Sequence, residues 1–130
     1  MWHEESPREH FAEGLRRRTK AFAFDVLELC RRLPKTEEAR IVGRQLLRAG
    51  MSVGANYRAV SRARSNAEFI SKISVVIEEA DETLFWLETL SEKNIAAGPE
   101  TSTLLREGNE LLRILAASQR TARKTHGRSS

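Results

Sequence analysis

Val53-Gly54-Ala55-Asn56-Tyr57-Arg58-Ala59-Val60-Ser61-Arg62-Ala63-Arg64-Ser65-Asn66-Ala67-Glu68-Phe69-Ile70-Ser71-Lys72-Ile73 decides the fold of this chain. Before Ser61, the apolar residues Val42, Leu46, Ala49, Val53, Tyr57 and Val60 recur every three or four positions. That is the period of a helix with one buried face. After Ser65, Phe69, Ile73, Val76, Ile77, Ala80, Leu84 and Leu87 repeat the pattern. Ser65 with Glu68 three residues on has the form of a capping box, which marks a helix start. Little more than Arg64 and Ser65 lies between the two patterns. Helices over about Glu37–Ala63 and Asn66–Lys93 must therefore fold back as an antiparallel pair. Thr36 is placed to cap the first of them, with Glu37 and Glu38 at the positive end of its dipole.

The pattern continues on both sides. Phe11, Leu15, Phe22, Val26, Leu29, Cys30 and Leu33 form a helical face that Pro34 ends. Gly98-Pro99 opens a fourth helix, with Leu104, Leu105, Gly108, Leu111, Leu112 and Leu115 on its face. No segment alternates as a strand does. The 130 residues include 7 glycines and 3 prolines, few for a loop-rich or all-β chain. The fold class read from this is all-α, an antiparallel up-down four-helix bundle. Its expected organisation is a flexible or partly helical arm over 1–14, the bundle over 15–124 and a basic disordered tail over 125–130.

Chemistry-bearing patterns are sparse. Cys30 is the single cysteine, so no intrachain disulfide forms. It sits in an apolar stripe, where free cysteine is ordinary filling. The histidines, His3, His10 and His126, lie near the ends, and none follows a glutamate at the spacing of a bundle metal site. No phosphate-binding loop or dinucleotide fingerprint is present. The pairs Glu78-Glu79 and Asp81-Glu82 lie off the apolar stripe, as solvated or ion-paired charges do. No catalysis, metal or cofactor is expected. The start of the chain lacks the apolar core of a signal peptide, and no run reaches the ~18 apolar residues of a membrane span. A cytoplasmic protein without a membrane partner is expected.

The charge is unevenly spread. Net charge is +4. Residues 36–65 carry six arginines against two acids, whereas residues 66–94 carry seven acids against two lysines. At ~100° per residue, Arg40, Arg44, Arg48, Arg58 and Arg62 share one arc opposite the apolar face. Two readings of this stripe stay open on pattern alone. One is a face paired with acidic helix three of its own or a neighbouring chain. The other is a surface that tracks phosphates, for which the guanidinium fork is suited. Between arginines and core lies a sector with Gly43, Gly50 and Gly54. Each interior helix glycine costs up to ~1 kcal/mol against alanine, so another backbone is expected to approach there, from a bundle neighbour or from another subunit. Val75 and Trp86 lie off the core stripe of helix three. These apolar residues point to a homo-oligomer, with Val75, Trp86, Gly43, Gly50 and Gly54 as candidate contacts.

Gln45-Leu46-Leu47-Arg48-Ala49-Gly50-Met51-Ser52-Val53-Gly54-Ala55-Asn56-Tyr57-Arg58, Phe69-Ile70-Ser71-Lys72-Ile73 and Glu78-Glu79-Ala80-Asp81-Glu82-Thr83-Leu84-Phe85-Trp86-Leu87 together resemble a bacterial four-helix-bundle family. It comprises 23S rRNA intervening-sequence proteins and the accessory variability determinant of diversity-generating retroelements. The resemblance covers about Phe22 to Leu115. It implies a homopentameric ring and, by the retroelement members, a basic protein that binds nucleic acid and docks a reverse transcriptase. On this footing the expected function is a non-catalytic, oligomeric adaptor that binds an RNA or DNA backbone. Arg40, Arg44, Arg48, Arg58 and Arg62 are its expected phosphate contacts, with Arg16, Arg17, Arg18, Arg120, Arg123 and Lys124 adding to them. The alternative is a structural homo-oligomer of the intervening-sequence type, its arginines paired across subunits with Glu78, Glu79 and Glu82. Only Trp2, Trp86 and Tyr57 offer rings for base stacking, so base-specific recognition is not expected.

Overall fold

A computed structural model describes residues 6–129. The proposed arm residues 1–5, Trp2 among them, and tail residue Ser130 lie outside the described residues. Four helices account for nearly all the rest: α1 (Pro7–Arg31), α2 (Glu37–Val60), α3 (Asn66–Glu92) and α4 (Pro99–Ser129). No strand occurs among the described residues. The architecture is a four-helix bundle. Each helix packs against its chain neighbours, and the α1–α4 seam is the thinnest.

Local sequence chemistry sets the helix starts. α1 begins earlier than its apolar stripe, because Ser6 and Glu9 form a reciprocal capping box ahead of Pro7. Residues 7–14 of the expected arm are thus helical. Thr36 caps α2 by accepting from the Ala39 amide. Ser65 Oγ accepts from the Glu68 amide at 3.0 Å. The Glu68 carboxylate also pairs with Lys72 at 3.0 Å, and that ammonium holds its carboxyl below the usual range. Ser65→Ala is expected to cost about 1 kcal/mol, read as a lower denaturant midpoint. α2 ends at Val60, three residues before the expected Ala63, because Arg62 and Ala63 bond back only three residues, to Ala59 and Val60. α3 ends at Glu92, and two residues on Asn94 takes a φ of 55°, the left-handed conformation that asparagine tolerates. α4 runs on through residues 125–129, which the sequence placed in the disordered tail. No proline interrupts it, and Thr125 Oγ1 donates to the Thr121 carbonyl.

The core is the four stripes facing inward. Every residue read onto the α2 face is buried, and so are Ile73, Val76, Ala80, Leu84 and Leu87 of α3. Phe22 and Val26 of α1 and Leu111 and Leu115 of α4 complete the middle. Phe11 is a correction: it is 53% exposed, because it lies one turn before Leu15, the first buried residue of α1, beside the open α1–α4 end. Side chains across the seams fix the antiparallel register. Arg32 near the end of α1 meets Glu100 at the start of α4. Asn66 at the start of α3 donates to the Ala122 carbonyl near the end of α4, at 2.7 Å. Gln119 donates to the Ile70 carbonyl and to Ser74 Oγ. Among the described residues no buried side-chain polar atom lacks a partner.

The glycine sector of α2 faces α1 of the same chain. A Cβ on Gly43 would stand 2.8 Å from Leu33 Cδ1, and one on Gly50 2.7 Å from Val26 Cγ1. At Gly54 it would meet Ala23 Cβ at 3.1 Å and the Thr19 carbonyl at 3.2 Å. These three glycines were candidates for the subunit contact. They are buried inside the protomer, where they let α1 and α2 approach closely, so they are not free to serve as that contact.

Candidate nucleic-acid interface

The packing of α2 leaves one face in water. Its core stripe points inward and its glycine sector is covered by α1. The remaining arc carries Arg40, Arg44, Arg48, Arg58 and Arg62, all exposed. Arg40, Arg44 and Arg48 follow one another about 6 Å apart along the axis at 1.5 Å per residue; Arg58 lies about 15 Å further on near the end of α2, and Arg62 just past it, so the guanidinium groups form a broken ridge along the helix. Among the described residues none of the five takes part in an ion pair. Pairing with helix three of the same chain is therefore not what occupies them. Arg48 acts only at longer range on Glu79.

The α1 arginines behave differently. Arg16 binds Glu13 one turn away, through bonds of 2.9 and 2.5 Å. Arg18 reaches α4 and binds Glu107 at 2.7 Å and Glu110 at 3.0 Å. These carboxylates hold the Arg18 guanidinium well above its ordinary value. Arg16 and Arg18 were expected to face phosphates. Their donors are instead committed to carboxylates, and Arg18 serves as a clamp between α1 and α4. Arg17 is exposed, as are Arg120, Arg123 and Lys124. Because the end of α4 lies beside the start of α3, these last three share an end of the bundle with Arg58 and Arg62.

α3 presents the opposite charge. Glu78, Glu79, Asp81 and Glu82 form no ion pair among the described residues. Burial, first, and then the charge of Glu82 push the Glu79 carboxyl up. Beside them Val75 is 44% and Phe85 57% exposed. Trp86 is half-buried, stacked edge-on against Phe85 at 4.9 Å, and its indole N–H donates to Glu82 at 3.4 Å. Tyr57 lies in the core, and burial pushes its phenol up to about 12, so it is no stacking platform.

Two features escaped the sequence reading. Ile41, beside the arginine ridge, is 54% exposed, and Lys35, with no ion pair among the described residues, brings a further cation to the Arg40–Arg44 end. Cys30 is half-buried, and burial pushes its thiol up to about 11, which leaves only a small thiolate fraction near neutral pH. Among the described residues no cluster of histidine, cysteine and carboxylate side chains is arranged to hold a metal ion. No described helix is long and apolar enough to cross a membrane.

A family profile described as 23S rRNA-intervening sequence protein matches residues 13–117. The chain is also similar to the crystal structure of a Bacteroides thetaiotaomicron protein, described as of unknown function and from the S23 ribosomal protein family. The two share 28% identity and superpose with a TM-score of 0.74 over 81% of this chain and 97% of that one. No curated protein matches the chain.

Proposed function

The chain belongs to the 23S rRNA-intervening sequence protein family, and from that premise we propose that it is a non-catalytic, oligomeric adaptor for nucleic acid, held by the arginine ridge of α2. The observation that carries this reading is the ridge itself. Five exposed guanidinium groups lie along one side, and among the described residues none has a carboxylate partner. Backbone phosphates satisfy such a surface without regard to base sequence. A ring of protomers, a pentamer in this reading, multiplies the field that the ridge presents. A reverse transcriptase acting on the bound strand is the partner that the retroelement side of the reading supplies. The direct test is fluorescence anisotropy with mixed-sequence RNA and duplex DNA at low salt. Both are expected to bind, and scrambling the sequence should change affinity less than about three-fold, because phosphates carry no base information. Absence of binding contradicts the reading.

One observation favours a second reading. Among the described residues the acidic face of α3 is as free of ion pairs as the ridge, and burial, then the charge of Glu82, raise Glu79. A neighbouring protomer that brings its ridge to Glu78, Glu79 and Glu82, with Phe85, Val75 and Trp86 beside them, neutralises both. In that case the protein is a structural homo-oligomer. Light scattering tests the assembly common to both readings: a 14.8 kDa particle at micromolar concentration contradicts it. Trp86→Glu should weaken the assembly if the α3 face is the contact.

A further inference from the structure

The arginine ridge ends on a groove. Where α1 hands over to α2, a cavity of about 520 Å³ opens, within the ~300–1,000 Å³ span of small-molecule sites. Leu33, Gly43 and Leu47 give it an apolar wall. Gly43 is required there, since a Cβ would stand 2.8 Å from Leu33 Cδ1. Arg40 and Arg44 rise on the α2 side, and Lys35 stands on the connection. All three are exposed and unpaired among the described residues. The fourth cation at the rim, Arg31, is already bound to Glu28 at 2.9 Å.

An apolar wall under exposed cations suits a flat, weakly polar body that carries an anionic group. A guanidinium plane both stacks on a nucleobase and binds its phosphate. The ridge would lead a strand straight to this opening. We infer that the groove seats one unpaired nucleotide, its base against the Leu33–Leu47 wall and its phosphate between Arg40 and Arg44. This rests on the ridge being the strand-binding surface. It adds a preference that the ridge alone does not give. A single strand offers a free base, whereas a duplex must first be unpaired and unstacked.

Cys30, the single cysteine of the chain, lines the groove and reports its occupancy. The experiment measures its alkylation by iodoacetamide at mildly alkaline pH, with binding followed in parallel by anisotropy. Three probes are compared: a short unstructured RNA, an abasic strand of equal length, and adenosine monophosphate. Saturating RNA is expected to slow alkylation about five-fold or more, and the abasic strand less than about two-fold, because only a seated base covers the thiol. Slowing by adenosine monophosphate assigns the seat to free nucleotides as well. Bound RNA that leaves the rate unchanged, or equal protection by both strands, overturns the groove and leaves the ridge standing. RNA that fails to bind contradicts the ridge, and the groove then falls too unless adenosine monophosphate alone protects Cys30. As a second check, Leu47→Gln makes the apolar wall polar. It should bring RNA and the abasic strand to within about two-fold in affinity, since the apolar seat for the base is lost, while the salt dependence is kept. An unchanged gap between the two strands in a folded Leu47→Gln protein counts against the groove.

Discussion

Phe22→Ala is expected to remove about 3–5 kcal/mol of folding stability, the range for deleting a buried phenylalanine. Phe22 is 2% exposed and spans the bundle from α1 to α4. Its ring is received by Gly108: a Cβ at that position would stand 3.2 Å from Phe22 Cζ and 2.9 Å from Leu84 Cδ2. Three helices thus meet at a ring that fills the space a glycine leaves. Truncation leaves a cavity that the helices close only in part, since the backbones on either side are held by the Arg18 clamp and the α1–α2 glycine contacts. A single domain has about 5–15 kcal/mol in total, so the variant should sit near the edge of folding. Denaturant unfolding at fixed protomer concentration measures this, because assembly shifts apparent stability. A loss below about 1 kcal/mol would place Phe22 outside the core, against the range for such a deletion.

The second large effect is on binding. Arg44→Glu/Arg48→Glu should weaken RNA affinity on the order of 100-fold at moderate salt, through lost phosphate contacts and two new repulsions. Both residues are exposed and, among the described residues, form no ion pair, so folding should be nearly unchanged, as for surface substitutions away from special features. Three outcomes separate the readings. Weak binding by an intact oligomer supports the ridge. Unchanged binding moves the contact to Arg17 or to the end of α4. An oligomer that dissociates puts the arginines in the subunit contact with the α3 carboxylates.

Helix identity and the inward faces of α2 and α3 were readable in the chain because burial follows a 3.6-residue period. Val42 to Val60 and Ile73 to Leu87 face the core as their spacing requires. Periodicity says nothing about where a partner helix ends, which is why Phe11 fits the stripe of α1 yet stands exposed. The Ser6–Glu9 box and Asn94 were local signals of the same kind as Ser65, and were open to reading. The glycine sector was visible, but not what fills it. Val26 of α1 and Leu33 on the connection after it are known to cover it only once the helices are docked. Arg16 and Arg18 look like their neighbours in sequence. One is taken by a glutamate a turn away, the other by Glu107 and Glu110, some ninety residues on. The ridge was readable as an arc. That its arginines form no ion pair among the described residues required the arrangement of all four helices.

The most direct test of the ridge is the salt dependence of affinity for an unstructured RNA, measured for the wild type and for Arg44→Glu/Arg48→Glu, with oligomeric state checked at each salt concentration. Each neutralised phosphate on a single strand adds about 0.7 to the slope of log affinity against log salt. The five arginines of one ridge therefore predict a slope of about −3.5 for the wild type, and loss of two contacts one shallower by about 1.4. Equal slopes and equal affinities in two intact oligomers would contradict the ridge as the nucleic-acid surface.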